Sequence, residues 1–435
     1  METTATKATF KKYPAYKDSG VEWLGQVPRN WEVLPLFALT KLKSISNCPD
    51  LELLSVYLDL GVIRFSDIDA KRTNATSLDL SKYQKVEPGD FVLNNQQAWR
   101  GSVGVSNYEG IVSPAYIILS LSHKLNPSFA NYYFRNGAMV SQYLISSKGV
   151  GTIQRNLYWP QLRRTYVGIP PKEEQTAIAN FLDDKTAKID QAIAQKEQLI
   201  ALLKERKQII IQNAVTKGLD PNVKLKDSGV EWIGEIPEHW EVKKLKYVSK
   251  INIDSLPDNT PAACKFEYVD IGSVSFENGI ERTESFTFKN SPSRARRIAK
   301  EGDTVISTVR TYLKAIDYVT EEKSKFIYST GFAILTPINI QKAFLYHFVR
   351  SNAFTEQVTV DSKGMSYPAI NSTDLSRLSL AIPSFEEQSE IVCHIETQST
   401  KIDQAISLQQ IQIEKLKEYK ATLIESAVTG KIKVF

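Results

Sequence analysis

Apolar residues recur at heptad spacing over two long stretches of the chain, and the second stretch repeats the first. In the first, Leu182, Ile189, Lys196, Leu203 and Ile210 occupy one heptad position (d), and Ala179, Thr186, Ile193, Ile200, Lys207 and Ala214 the other (a). In the second, 213 residues later, Ile395, Ile402, Gln409, Leu416 and Leu423 stand against Val392, Ser399, Ile406, Ile413, Lys420 and Ala427. The ends are marked as helix ends should be. Pro171 stands at a first-turn position, Ser384 with Glu387 forms a capping-box pattern, acidic EEQ in both first turns suits the helix dipole, and Gly218 and Gly430 close the helices. A helix of about 44 residues is roughly 66 Å long and extends past any small globule. The heptads therefore predict a coiled-coil pair rather than two helices lying on their own domains. Polar residues break both seams at the same places, so an antiparallel, two-fold arrangement puts Lys207 near Ser399 and Lys420 near Thr186.

Ahead of each helix the pattern shifts to short runs of β-branched and aromatic residues bounded by Gly, Pro and Asn. Gly89 to Leu93, Tyr116 to Leu121, Thr304 to Thr308 and Phe326 to Leu335 read as strands, and Phe129 to Ile145 and Ala343 to Val360 as a packing helix in each half. The two halves are copies. KDSGVEWLG at 17–25 returns as KDSGVEWIG at 226–234, EPGDFVLN at 87–94 as KEGDTVIS at 300–307, and SKG at 147–149 as SKG at 362–364. IPPKEEQ at 169–175 returns as IPSFEEQ at 382–388, KIDQAI at 188–193 as KIDQAI at 401–406, and AVT at 214–216 as AVT at 427–429. The offset drifts from 209 to 215 and settles at 213, which places small insertions inside the globules and none inside the helices. The fold class is α+β: two mixed α/β globules, each followed by a long helix, the helices pairing as an antiparallel coiled coil in a pseudo-two-fold internal repeat.

At 435 residues, 42% hydrophobic and 24% charged, the chain is long enough for two or three well-folded domains. No apolar run approaches the roughly 18 residues of a membrane span, and METTATKATFKKY lacks the apolar block of a signal peptide, so the expected location is the cytoplasm. Cys48, Cys264 and Cys393 are far apart, as are His123, His239, His347 and His394, which predicts neither a disulfide framework nor a metal site. The net charge of +5 says less than its distribution: residues 173–217 are neutral and residues 386–431 carry −3, leaving +8 on the globules.

A covalent pseudo-dimer with a rigid separator suits DNA, whose half-sites lie on one face of the duplex about a helical turn or more apart. The reading segments should then differ while the framework stays alike. After the shared Gly-Asp turn, the first half continues LNNQQAWRGSVGVSN and the second ISTVRTYLKAIDYVT. Asn94, Asn95, Gln96 and Gln97 carry the amides that bond adenine edges in pairs, with Arg100 for guanine or phosphate; Thr308, Arg310, Thr311, Tyr312 and Lys314 are the counterparts. A second patch is KGVGTIQRN at 148–156, where Lys148, Gln154 and Arg155 are candidates and glycines allow close backbone approach. It faces KGMSYPAIN at 363–371, with Lys363, Ser366 and Tyr367. Arg294, Arg296 and Arg297 cluster in SPSRARRIAK as a phosphate contact would require.

Intrinsic catalysis finds no support. NPSF at 126–129 lacks the second proline of an adenine methyltransferase motif and no FxGxG loop precedes it; a helix start at Asn126-Pro127 is the plainer reading. No GxxxxGK[ST] loop occurs, and PDLEL at 49–53 lacks the lysine of a metal-dependent nuclease. The alternative from another class is a structural coiled-coil docking scaffold without DNA reading.

The layout resembles the specificity subunits of type I restriction-modification systems: two target-recognition globules, each closed by a hydrophobic-Pro-x-x-EQ boundary and followed by a helix carrying KIDQAI. The resemblance spans about Lys17 to Lys431. It implies an N-terminal tail (1–16), target-recognition domain 1 (17–170), a first conserved helix (171–217), a linker (218–225), target-recognition domain 2 (226–383), a second conserved helix (384–431) and a C-terminal tail (432–435). It further implies a non-catalytic chain that reads one half of a bipartite site with each globule. Its partners would be double-stranded DNA, two methyltransferase subunits docked on the helices, and restriction subunits. The chain would hold no cofactor itself; S-adenosylmethionine belongs to the methyltransferase subunits, which methylate adenine N6 after flipping the base.

Overall fold

The computed structural model describes residues 10–58, 60–67, 79–150, 154–364 and 366–435. The chain forms two compact units, Met1–Lys196 with Gln410–Phe435 (unit 1) and Glu197–Gln409 (unit 2).

Unit 1 is built on an antiparallel sheet of β1 (Thr40–Lys43), β2 (Asp90–Asn94), β3 (Val103–Val105) and β4 (Tyr116–Leu121), ordered β1-β4-β2-β3. The unbroken apolar run of β2 follows from burial on both faces. Phe91 and Leu93 enter the main core, whereas Val92 joins Ile118, Val86 and Leu54 in a second cluster. The single helix expected over Phe129 to Ile145 is two, α1 (Pro127–Arg135) and α2 (Gly137–Ile145). Asn136 separates them. Its backbone is extended, its Oδ1 accepts the Met139 N–H at 3.0 Å, and it thereby caps α2 in mid-pattern. A hairpin of β5 (Ser147–Val150) and β6 (Gln154–Leu157) follows.

From this unit α3 (Lys172–Lys217) starts, and the Glu-Glu-Gln at its head ties it to the globule. The buried Glu174 accepts the Trp31 indole N–H at 2.8 Å, the Asn30 amide at 3.0 Å and the Tyr13 hydroxyl. Gln175, fully buried, donates to the carbonyls of Lys124 and Pro170 and accepts the Asn126 N–H at the head of α1. The motif therefore does more than complement a dipole: it knots helix, loop and globule together.

Unit 2 repeats the plan with β7 (Ser249–Ile251), β8 (Ala295–Ile298), β9 (Thr304–Ser307), β10 (Ile316–Tyr318), β11 (Ile327–Ser329) and β12 (Phe332–Pro337). The sheet equivalent to that of unit 1 is ordered β7-β12-β9-β10. The strand expected over Phe326 to Leu335 is divided, β11 pairing with β8 in another sheet. The chain turns at Gly331, where a Cβ would lie 2.7 Å from the Ile271 side chain. The second expected helix is likewise two, α4 (Lys342–Arg350) and α5 (Asn352–Asp361), parted at the extended Ser351. At the head of α6 (Phe385–Val428) the Trp240 indole donates to Glu387 at 3.0 Å, and Gln388 repeats the part of Gln175 toward Pro383 and Gln341. The capping box is half made: Ser384 Oγ accepts the Glu387 N–H at 3.2 Å, while the Glu387 carboxylate turns to Trp240.

The long helices run antiparallel. In unit 1, Leu182 and Ile189 share a core with Leu423 and Ala427, and Lys196 reaches Gln412; in unit 2, Ile211 and Ala214 share one with Val392 and Ile395. All the a and d positions named above are buried or half-buried. Each lysine finds a charged partner one turn along from the hydroxyl residue expected near it. Lys420 donates to Asp190, not Thr186, and Lys207 to Asp403, not Ser399, each at 2.7 Å. A lysine stem reaches a full turn along the neighbouring helix, where the Asp of KIDQAI offers a charge that a hydroxyl does not. Gly218 and Gly430 end the helices at φ +74°; at Gly430 a Cβ would stand 2.5 Å from Pro28, beside Trp31. Among the described residues no helix is long and apolar enough to cross a membrane.

Candidate nucleic-acid interface

In each unit the shared Gly-Asp turn delivers a strand whose far end carries the candidate residues. Asp90 and Asp303 are buried and close these turns by accepting the N–H of Glu87 and Lys300, each at 2.8 Å. Burial pushes the Asp303 carboxyl above its usual pKa.

In unit 1, Asn94 ends β2, accepts the Gln96 N–H at 3.1 Å and directs its amide to the Tyr116 hydroxyl at 3.4 Å. A single 3-10 turn, Ala98–Arg100, follows and is closed by Gly101 at φ +100°. The Leu157 N–H of β6 then donates to the Asn95 carbonyl at 3.0 Å, laying the hairpin on the turn. That bond brings the two candidate segments together. Arg100 and Arg155 both lie over the Trp99 ring, with Cζ 4.6 and 5.8 Å from its centroid, and Lys148 sits 3.8 Å over Tyr158. Gln96, Gln97, Arg100, Lys148 and Arg155 are exposed. The Oδ1 of Asn95 is buried with no partner among the described residues. Gly151 to Ile153 and the side chain of Gln154 lie outside the described residues.

Unit 2 uses the same frame for different side chains. The Ile370 N–H donates to the Thr308 carbonyl at 2.9 Å, repeating the bond between Leu157 and Asn95, and Thr311–Leu313 repeats the 3-10 turn. Here the turn is bracketed by non-glycine residues at positive φ, Arg310 (52°) and Lys314 (46°), the latter standing where unit 1 has Gly101. Thr308 and Thr311 serve the frame: the Thr308 hydroxyl donates to Gly331 at 2.9 Å, and the buried Thr311 hydroxyl meets Ser362 at 3.0 Å. Lys314 lies 3.5 Å from Glu356. Tyr312, Lys363, Ser366 and Tyr367 are exposed, and the Arg310 guanidinium lies 5.2 Å over Tyr367.

The arginine cluster divides. The Arg294 carbonyl accepts from Thr330, next to the Gly331 that holds Thr308, and Arg294 is exposed. Arg296 stacks 4.7 Å over Phe288, and Arg297 buries its Nε on β8, so neither joins the turn. Among the described residues no group of His, Cys, Asp or Glu is arranged to hold a metal. The residue that sequence reasoning passed over is Trp99. Its signal was present, an aromatic beside an arginine in a turn between strands.

The family model of the type I restriction modification DNA specificity domain matches twice, over residues 31–202 and 237–418. A type I restriction enzyme MjaVIII specificity subunit from Methanocaldococcus jannaschii is 25% identical over 436 residues, covering 94% of each chain. The EcoKI specificity subunit of Escherichia coli K12 is 26% identical over 247 residues, 52% of this chain and 49% of that one. Among solved structures, one from a type I restriction-modification system described for its complex assembly and conformational transition aligns with a TM-score of 0.67 at 14% identity, covering 92% of this chain and 98% of that one. An HsdS subunit from Thermoanaerobacter tengcongensis aligns at 0.51 and 15%, covering 93% and 98%. With two such domains on one duplicated frame, the chain belongs to the family of type I restriction-modification specificity subunits.

Proposed function

We propose that this chain is the DNA-reading subunit of a type I restriction-modification complex, and that its two units read different halves of an asymmetric, bipartite site. One observation carries the reading. Equivalent turns, held by equivalent backbone bonds at Asn95 and Thr308, present unlike exposed side chains: Gln96, Gln97 and Arg100 in one, Arg310 and Tyr312 in the other. A common frame with unlike edges is what two different half-sites require. The antiparallel helices set the unread spacer. They also dock two methyltransferase subunits, which use S-adenosylmethionine to methylate adenine N6, and restriction subunits join the same core. The chain itself supplies no catalytic group.

A methylated-adenine map of a genome expressing this chain with its methyltransferase partners tests this. The expected result is one split motif with unlike halves. Replacing residues 87–156 with those of a relative changes one half only, and inserting a heptad in each long helix changes the spacing. A motif whose two halves change together, or a spacing that survives the insertions, would refute the assignment of roles.

A further inference from the structure

Arg100 and Arg155 come from segments 55 positions apart in the sequence, yet both guanidiniums lie over the one Trp99 ring. The ring is itself fixed: its indole N–H donates to the Gln96 carbonyl at 3.0 Å, and the preceding Ala98 is fully buried. The hairpin that carries Arg155 is anchored through Leu157 to Asn95. Among the described residues neither arginine makes an ion pair, whereas Lys43, Lys85 and Lys124 of the same unit are all matched to carboxylates. Stacking on an aromatic face restrains a guanidinium plane and leaves its in-plane N–H edge open. A phosphate contact needs only a nearby charge, which a lysine supplies; a restrained fork with an unengaged edge suits the paired acceptors O6 and N7 of guanine.

We propose that Trp99 holds Arg100 and Arg155 as a guanine-reading pair, so that the half-site read by unit 1 contains G·C positions whose identity is set by these two side chains. The proposal rests on the DNA-reading function argued above. Trp99 is a positioning residue in it, and the arginines touch the base edges.

The test is selection of bound duplexes from a randomised library by the chain assembled with its methyltransferase subunits, at fixed salt. The wild-type complex should select a bipartite motif with guanine in one half. Arg100→Ala and Arg155→Ala should each relax one G·C position of that half by roughly 10- to 100-fold and leave the other half intact. Arg155→Lys keeps the charge but loses the fork, and should relax the same position. Trp99→Ala should weaken both positions, and Trp99→Phe should restore part of the discrimination. Three results would overturn the pair. One is a selected motif with no G·C position that depends on either arginine. Another is arginine variants that weaken all sequences alike and lower the salt slope by about one, the mark of a phosphate contact. The third is discrimination retained in Arg155→Lys. A wild-type complex that selects no motif would instead remove the DNA-reading function and the pair with it. Circular dichroism of each variant separates loss of recognition from loss of folding.

Discussion

Replacing Glu174 by alanine should destabilise the protein more than the same change at Glu387, its counterpart in unit 2. The Glu174 carboxylate is the acceptor for the Trp31 indole, the Asn30 amide and the Tyr13 hydroxyl, and Trp31 and Tyr13 are themselves buried. Burial, and then the neighbouring Glu174 carboxylate, push the Tyr13 phenol well above its usual pKa, so it stays a neutral donor. Alanine leaves two buried donors without an acceptor. Each costs about 1–3 kcal/mol, so a loss of about 4 kcal/mol is expected, which for a unit of this size lowers the thermal midpoint by roughly 8–16 °C. Unit 2 supplies the internal control. Glu387 holds Trp240 and His239, but its side chain is 25% exposed and that of His239 57% exposed, so only one buried donor is orphaned. Glu387→Ala should cost about 1–2 kcal/mol. Glu174→Gln keeps an acceptor without the charge and should fall between wild type and alanine. Scanning calorimetry of the three variants decides the matter. A Glu174→Ala midpoint within about 2 °C of wild type, or a loss no larger than that of Glu387→Ala, would refute the argument.

Other consequences are smaller but as direct. His347 is buried on α4 with Nδ1 unpartnered among the described residues; burial, and then Arg350 and Lys207, hold its pKa down to about 3. The unfolded chain binds this proton near pH 6.5 and the folded unit does not, so the stability present above pH 6.5 falls as pH drops, by about 2 kcal/mol at pH 5. Urea titrations at pH 7.5 and 5 should lose that difference in His347→Phe, and an unchanged difference would assign the pH dependence elsewhere. A double-mutant cycle of Lys207→Ala and Asp403→Ala should give a coupling of about 0.5 kcal/mol, as expected for a partly exposed pair, and additive losses would show the 2.7 Å contact to be idle. Lys314→Gly should stabilise unit 2 by about 0.5–1 kcal/mol, because relief of the strain at φ 46° outweighs the loss of a 3.5 Å pair with Glu356; a lower unfolding midpoint would refute it.

The helices were legible because their burial is periodic: at the a and d positions, Leu182, Ile189, Ile395, Ile402 and Ala427 are all buried, and even the interrupting Lys196 finds its partner in the seam. The breaks inside the globular helices were not. Asn136 and Ser351 sit within runs whose apolar spacing continues across them, and the extended backbone at each, reinforced at Asn136 by its side-chain cap, stops the helix. The ion-pair partners of the two lysines were not legible, because a sequence register describes backbones, while an ion pair forms where a flexible stem meets a carboxylate. Each candidate segment stood out singly in the sequence. Their convergence did not, since it depends on backbone bonds at Asn95 and Thr308 that no residue type signals.

The duplication allows the two halves to be compared position by position within one molecule. Residues that are identical in both halves have structural partners: the tryptophans donate to Glu174 and Glu387, the glutamines bridge to the heads of α1 and α4, and the aspartates of KIDQAI meet Lys420 and Lys207. The exposed residues of the turns differ between halves and make few such bonds, as Gln97 against Arg310 shows. On the proposed function, stability and recognition therefore rest on separate sets of residues. It follows that exchanging Gln96 and Gln97 for the residues at the equivalent positions of unit 2 should leave the unfolding midpoint within about 2 °C, as surface changes do, while altering the half-site that is read. A large fall in the midpoint would show that the turn residues hold the frame as well as face the ligand, and the separation of roles would fail.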